Sequence, residues 1–387
     1  MKRYLPFLAA YLGMLIFGIC MLTLGSVMPY LDQTLHLNEL SKGSLATILP
    51  IGILAGSVVF GPIADRYSYR ILLSLSAAVT ASGMVLVGYA SRITELQLAF
   101  FLIGLGGGSL NGTTSALISD LSTEGSRQKG ANLSLLGVFF GIGALGIPAI
   151  FGLISDLQDH RDALFRIGAG IMLLAIGFLM IRYPGAKRRS LNGLGSWKML
   201  LGKRLIIFIG LVLFIQSGME SLVNNWITSF FTLHVGMGPR VSLFMLTLFV
   251  MVFTVNRLLL KFLLLRIHPG WVLGIAAGLI LAGGLVLNYL QGIQGAYVAV
   301  ICLGTGLAAG FPLLLGVIGD AFPERSGTAF SIVFTISVIG NSLINFLAGW
   351  ITESQGMGGL PWMLISSVVI YIILLYSALK TINSTKK

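Results

Sequence analysis

The sequence predicts an all-α integral membrane fold, with twelve transmembrane helices in two six-helix bundles. Three observations predict it. The chain of 387 residues is 56% hydrophobic and only 10% charged, whereas a soluble domain carries about 25% charged residues. Its apolar residues gather into runs that reach the roughly 20 residues a membrane helix needs. The two halves of the chain also echo each other at an offset near 200 residues.

The runs fall at about 5–31, 44–64, 70–90, 95–120, 131–156 and 163–183 in the first half, and at 204–233, 240–262, 269–290, 296–320, 327–351 and 361–380 in the second. The first run follows Met1-Lys2-Arg3 and extends to Tyr30. That is too long for the apolar core of a signal peptide, so it is read as the first span. The least clear division lies at 256–270. With the N-terminus in the cytoplasm, all of the 25 Lys and Arg except Lys42, Arg92, Arg161, Arg166 and Arg240 fall in cytoplasmic segments or helix ends. Arg257 and Lys261 are counted among them. Such a bias is the signature of cytoplasmic loops, and it places both termini inside, in a prokaryotic inner membrane.

The expected organisation is a six-helix bundle over residues 1–183, a cytoplasmic linker at 184–203 and a second bundle over 204–387. The linker, PGAKRRSLNGLGSWKMLLGK, is basic and suits attachment to an anionic leaflet. The net charge of +12 does not indicate nucleic-acid binding, because the basic residues are strung between apolar runs rather than gathered on one face. Cys20 and Cys302 sit inside apolar runs, and the four His lie near span ends, far apart in sequence. No metal-ligand spacing exists, no cofactor is implied, and no nucleophile–base pair at midplane depth supports an intramembrane enzyme. A monomer is expected, with membrane lipid, a small-molecule substrate and protons as its partners. A non-transporting sensor on the same scaffold stays open.

The repeat is carried by the loops. Gly61-Pro-Ile-Ala-Asp65-Arg66 ends the second span, and Lys261-Phe-Leu-Leu-Leu-Arg266 ends the eighth. Asp120-Leu-Ser-Thr-Glu124 ends the fourth, and Asp320-Ala-Phe-Pro-Glu324 ends the tenth; Arg and Gly follow in both. Two six-span halves in one orientation form a parallel repeat, with the substrate site near the midplane. GPIADRYSYR, residues 61–70, resembles the loop signature of the major facilitator superfamily, Gly-x-x-x-Asp-Arg-x-x-Arg/Lys. Gly61, Asp65, Arg66 and Arg70 fit it; the second copy keeps Arg266 but has Lys261 and Leu265 in place of Gly and Asp. The resemblance implies alternating access, with Asp65 and its basic neighbours as a conformational latch. Glu124 with Arg127, and Glu324 with Arg325, are read as a related cytoplasmic clamp.

The most informative stretch is FIQSGMESLVNNW, residues 214–226. Gln216, Glu220 and Asn224 recur at i, i+4 and i+8, which places them on one helix face. Asn225 and Trp226 follow. An unpaired charge at mid-span is costly, and such residues face the protein interior or an aqueous cavity. Glu220 is the only Asp or Glu assigned to such a depth. It is read as a cavity residue that binds a polar solute, carries a proton, or does both, the alternative being a buried structural acid. Low dielectric favours the neutral form of a carboxyl, so proton exchange at Glu220 is a means of coupling. Asn111, Asn341 and Asn345 are the amides expected to share the cavity, with Asn132 a weaker candidate and Phe311 offering a ring face. Amides, one acid and an indole suit a polyhydroxylated solute. The absence of a mid-span Arg or Lys speaks against anionic substrates.

Residues 214–231 are similar to the seventh span of the fucose–galactose–glucose:proton symporter family, through Gly218, Glu220, Asn224, Asn225 and Trp226. GSLNGTTSALISDL, in the fourth span, is similar to that family's Gly-x-Leu-Glu-x-x-x-Asn pattern. The two acids usual there fall on Asn111 and Gly25. Proton coupling then rests on Glu220, or the chain is a uniporter. The expected activity is alternating-access transport of a neutral hexose-like sugar, with import favoured. The alternative is a proton-coupled exporter of drugs or other amphiphiles.

Overall fold

The computed structural model describes residues 4–37, 39–66, 68–122, 125–152, 157–184, 193–264, 266–290 and 292–385. Among them the regular structure is helical: α1 (Leu5–Leu35), α2 (Glu39–Arg66), α3 (Tyr69–Tyr89), α4 (Ile93–Leu121), α5 (Gly125–Gly152), α6 (Leu157–Met180), α7 (Gly193–Leu201), α8 (Arg204–Leu233), α9 (Pro239–Leu263), α10 (Pro269–Tyr289), α11 (Ile293–Leu307), α12 (Gly310–Ala321), a 3₁₀ turn (Pro323–Arg325), α13 (Ser326–Gln355) and α14 (Gly359–Thr385). Twelve candidate spans are long and apolar enough to cross a membrane, and α11 with α12 makes one of them. The short α7 lies in the linker.

The boundaries follow local chemistry. Ser68 caps α3, its hydroxyl accepting from the Arg70 amide at 3.2 Å. The division at 256–270 is made by His268-Pro269. The imidazole of His268 accepts from the Gly270 amide at 3.1 Å, and Pro269 occupies the first helical turn, where its missing N–H costs nothing.

The tenth span carries one irregularity. Ile293–Ala321 is a single span, its helix interrupted by a turn at Ala308 and Ala309, where Ala308 keeps helical dihedrals. Pro312 explains the break. It has no N–H to give the Ala308 carbonyl, and its ring crowds that carbonyl.

The chain divides into two compact units. The first gathers 1–123, 136–198 and 322–332; the second gathers 124–135, 199–321 and 333–387. The start of α5 therefore counts with the second unit, and the start of α13 with the first. In the first unit α4 packs against α1, α2 and α3, and α3 against α6. The glycine-rich run 104–108 permits the α2–α4 crossing: a Cβ at Gly104 or Gly108 would collide with the backbone carbonyl of Leu49 or Ile53. Such small-residue contacts are how membrane helices approach closely. In the second unit α8 packs against α9 and α14, α9 against α11, and α10 against α11 and α14.

Candidate functional site

The polar stripe of α8 lies in the second unit, and its members do different things. Gln216 is fully buried. Its amide donates to the Leu307 carbonyl at 2.9 Å, one of the groups freed where the tenth span breaks. The expected ligand contact is thus turned to holding that break. Gly310 is required beside it, since a Cβ there would come within 2.6 Å of the Gln216 Oε1 and 3.1 Å of the Tyr371 hydroxyl.

Glu220 is half-buried, and a carboxylate oxygen lies 3.8 Å from Nη2 of Arg257. This changes the reading of both residues. Arg257 does not project into solvent: it is 7% exposed. Nor does Glu220 lack a partner, since this cation lies beside it. Arg257 is held in place on three sides. Its guanidinium lies over the Phe253 ring at 4.1 Å, the Ser134 hydroxyl donates to its backbone carbonyl, and Glu220 balances its charge. A guanidinium carries five N–H donors, and its Nε has no acceptor among the described residues. The pair bears no net charge, which is the condition under which two ions persist at this depth.

One turn further along, α8 and α13 build a polar network. The Asn225 side chain donates to Asn345 Oδ1 at 3.0 Å and to the Ser221 hydroxyl at 3.0 Å. The Trp226 indole N–H donates to the same Asn345 oxygen at 3.2 Å. The Asn345 amide donates to Ser221 and to the Asn341 backbone carbonyl. Asn225 is exposed, while Trp226, Asn341 and Asn345 are half-buried. Asn224 donates to the Glu220 backbone carbonyl at 2.9 Å, within its own helix. Phe311 stacks on Phe334 with ring centroids 6.1 Å apart. Asn132 is half-buried and engaged with neighbours. Asn111 belongs to the first unit, half-buried on α4.

Of the expected latch, Gly61 has a clear steric role. A Cβ there would collide with Ser331 and come within 2.9 Å of the Gly327 carbonyl oxygen, both on α13. The backbone of Asp65 and Arg66 closes α2, their side chains and Glu124 lying outside the described residues. Arg70 is exposed near Tyr183, whose phenol burial holds above the usual range while the Arg70 charge opposes that rise. Arg127 is exposed, and Glu324 and Arg325, in the 3₁₀ turn, are each engaged with a partner.

Two clusters at the ends of the repeated helices went unread. Asp120 accepts from the Tyr69 hydroxyl at 2.6 Å and from the Ser326 hydroxyl at 2.8 Å. Lys129, 7% exposed, donates to the Gly319 carbonyl at 3.0 Å and lies 3.6 Å from Asp320. Both aspartates carry the sequence echo, so the signal was present in the repeat.

Residues 10–345 match the family model of the Major Facilitator Superfamily. The chain belongs to that superfamily. Its members are transporters, not enzymes. Among curated relatives, the glucose/mannose transporter GlcP of Bacillus subtilis is 20% identical over 349 residues, covering 86% of this chain and 84% of GlcP. The class H tetracycline resistance protein of Pasteurella multocida is 23% identical over 384 residues, covering 92% of each. The fold matches that of the E. coli fucose:proton symporter FucP, with TM-score 0.81, 17% identity and coverage of 98% of this chain and 99% of FucP. It also matches the proton:xylose symporter XylE, with TM-score 0.76, 15% identity and coverage of 97% and 95%. This superfamily transporter is thus a multi-pass membrane protein that binds a small-molecule substrate.

Proposed function

We propose that this superfamily transporter moves a small neutral sugar by alternating access, inward across a prokaryotic inner membrane, with both termini in the cytoplasm. The observation that carries the reading is the Asn225–Asn345–Trp226 network. Amide donors and acceptors converge beside an indole, with Asn225 exposed, and this combination matches hydroxyls and the apolar face of a pyranose. The sugars named for GlcP, FucP and XylE agree with it. Asn111, Asn341 and Phe311 are proposed as further contacts.

The Glu220–Arg257 pair leaves this region without net charge, which suits a neutral solute. It also gives protons a mechanical role. A proton on Glu220 cancels its hold on Arg257, so proton binding and release of the tie from α8 to α9 are one event. Two helices then become free to shift when the proton arrives and are locked when it leaves.

The test is uptake of labelled hexoses into proteoliposomes under an imposed proton gradient. Accumulation is expected, with counterflow but no accumulation in Glu220→Gln. Because that variant strands Arg257, it should also lose on the order of 3–5 kcal/mol of stability. The double variant Glu220→Gln/Arg257→Gln should regain most of this without regaining coupling. Unchanged accumulation in Glu220→Gln would refute the proton role. A second reading, export of amphiphiles, is favoured by the end-to-end similarity to the tetracycline resistance protein. Efflux of dye or tetracycline with no sugar flux would decide for it.

The latch is proposed to reside in Gly61, Asp65, Arg66 and Arg70, with the clamp residues Glu124, Arg127, Glu324 and Arg325 beside it. Asp65→Asn should slow turnover with little change in apparent affinity; a large affinity change at normal turnover contradicts the assignment.

A further inference from the structure

The first unit carries an open groove of about 580 Å³ within the height of the spans. Its walls come from Ser82 and Val85 on α3, Leu102 on α4, and Phe165, Gly168 and Ala169 on α6. The side walls are apolar, because their one hydroxyl, Ser82, donates to the Ala78 carbonyl of its own helix at 3.0 Å. Tyr89, the last residue of α3, closes one end. There the Arg161 guanidinium lies over the Tyr89 ring, 4.0 Å from its centroid.

Arg161, Phe165, Gly168, Ala169 and Met172 follow the i, i+4, i+7, i+8, i+11 spacing of one helix face. A cation therefore stands at the head of an apolar trough, one turn from its first wall residue. Among the described residues no carboxylate pairs with Arg161; Asp162, its neighbour in sequence, is exposed about 100° round the helix. Arg161 and the exposed Arg166 are two of only five basic residues that the charge bias leaves on that side of the membrane, so their place is not explained by topology.

We propose that this groove binds one glycerophospholipid with an anionic headgroup, an acyl chain lying along α3 and α6 and the phosphate resting on Arg161. At span height the available molecules are lipids, and hydrocarbon fits a wall with no unmet polar group. The cation selects the headgroup: a fixed guanidinium at the interface favours an added negative charge, whereas a zwitterionic headgroup brings its own cation. Tyr89 sits where an aromatic ring bridges apolar and polar layers.

Native mass spectrometry of the full-length protein, released from micelles doped with phosphatidylglycerol or with phosphatidylcholine of the same chains, tests this. Wild type should retain one phosphatidylglycerol preferentially. Arg161→Gln should lower that retention about fivefold and abolish the preference. Ala169→Phe and Ser82→Leu, which fill the trough from opposite walls, should lower retention of both lipids; whichever variant keeps the wild-type melting temperature serves. Equal retention of the two lipids by wild type overturns the headgroup assignment. Undiminished retention in a folded trough variant overturns the site, as does finding only detergent or a second copy of the chain there.

Discussion

Asp120 and Asp320 stand one repeat apart, each at the end of a long apolar helix, yet they hold their neighbours by different chemistry. Asp120 accepts two hydroxyl hydrogen bonds, from Tyr69 and from Ser326, both buried. Asp320 faces an ammonium, Lys129, at 3.6 Å, with its own side chain 40% exposed. The offset of the repeat explains the difference. The counterpart of Tyr69 is Pro269, which offers no hydroxyl, and the counterpart of Lys129 is Ala329, which is fully buried. The sequence echo keeps the acid and the helix end that presents it. What each acid meets differs: buried hydroxyls at Asp120, and the Lys129 ammonium at Asp320.

The comparison can be broken at either end. The largest effect should come from Asp120→Ala, which strips buried hydroxyls of a charged acceptor, at about 1.5–3 kcal/mol for each such bond. The expected loss is about 3 kcal/mol or more, read from thermal unfolding of the purified protein. Lys129→Met should cost less, about 1–2 kcal/mol, because the carbonyl of Gly319 and a half-wet carboxylate are all that it loses. Asp320→Asn should be the mildest, at about 0.5 kcal/mol, because the acid of this pair is 40% exposed and water screens it, while Lys129 keeps its bond to the Gly319 carbonyl. Salt sharpens the contrast. At 1 M the screening length falls to about 3 Å, so the penalty of Asp320→Asn should shrink while that of Asp120→Ala stays. Equal penalties at the two aspartates, or a salt-sensitive Asp120, would dissolve the distinction.

How legible was the site? The face shared by Gln216, Glu220 and Asn224 was readable, because helical spacing fixes which residues stand together on α8. The fate of each was not. Gln216 went to the Leu307 backbone carbonyl on another helix, and no pattern in α8 announces that need. Arg257 was misplaced for a different reason. Hydropathy assigns a charge near the end of a run to the nearest loop, but an arginine stem spans several ångströms, and this one is buried against Phe253 and Glu220. The network of Asn225 with Asn345 joins residues 120 apart in sequence, which only the packing of α8 on α13 can specify.

The sequence by itself determined the medium and the number of spans. These follow from the free energy of placing apolar or charged groups in hydrocarbon, a property each segment carries alone. The tertiary structure decided which polar groups are buried against a partner, as Gln216 and Arg257 are, and which stay exposed while bonded, as Asn225 does. A hydrogen bond or ion pair needs two partners at a set distance. When those partners sit on different helices, their meeting depends on packing that neither helix encodes alone.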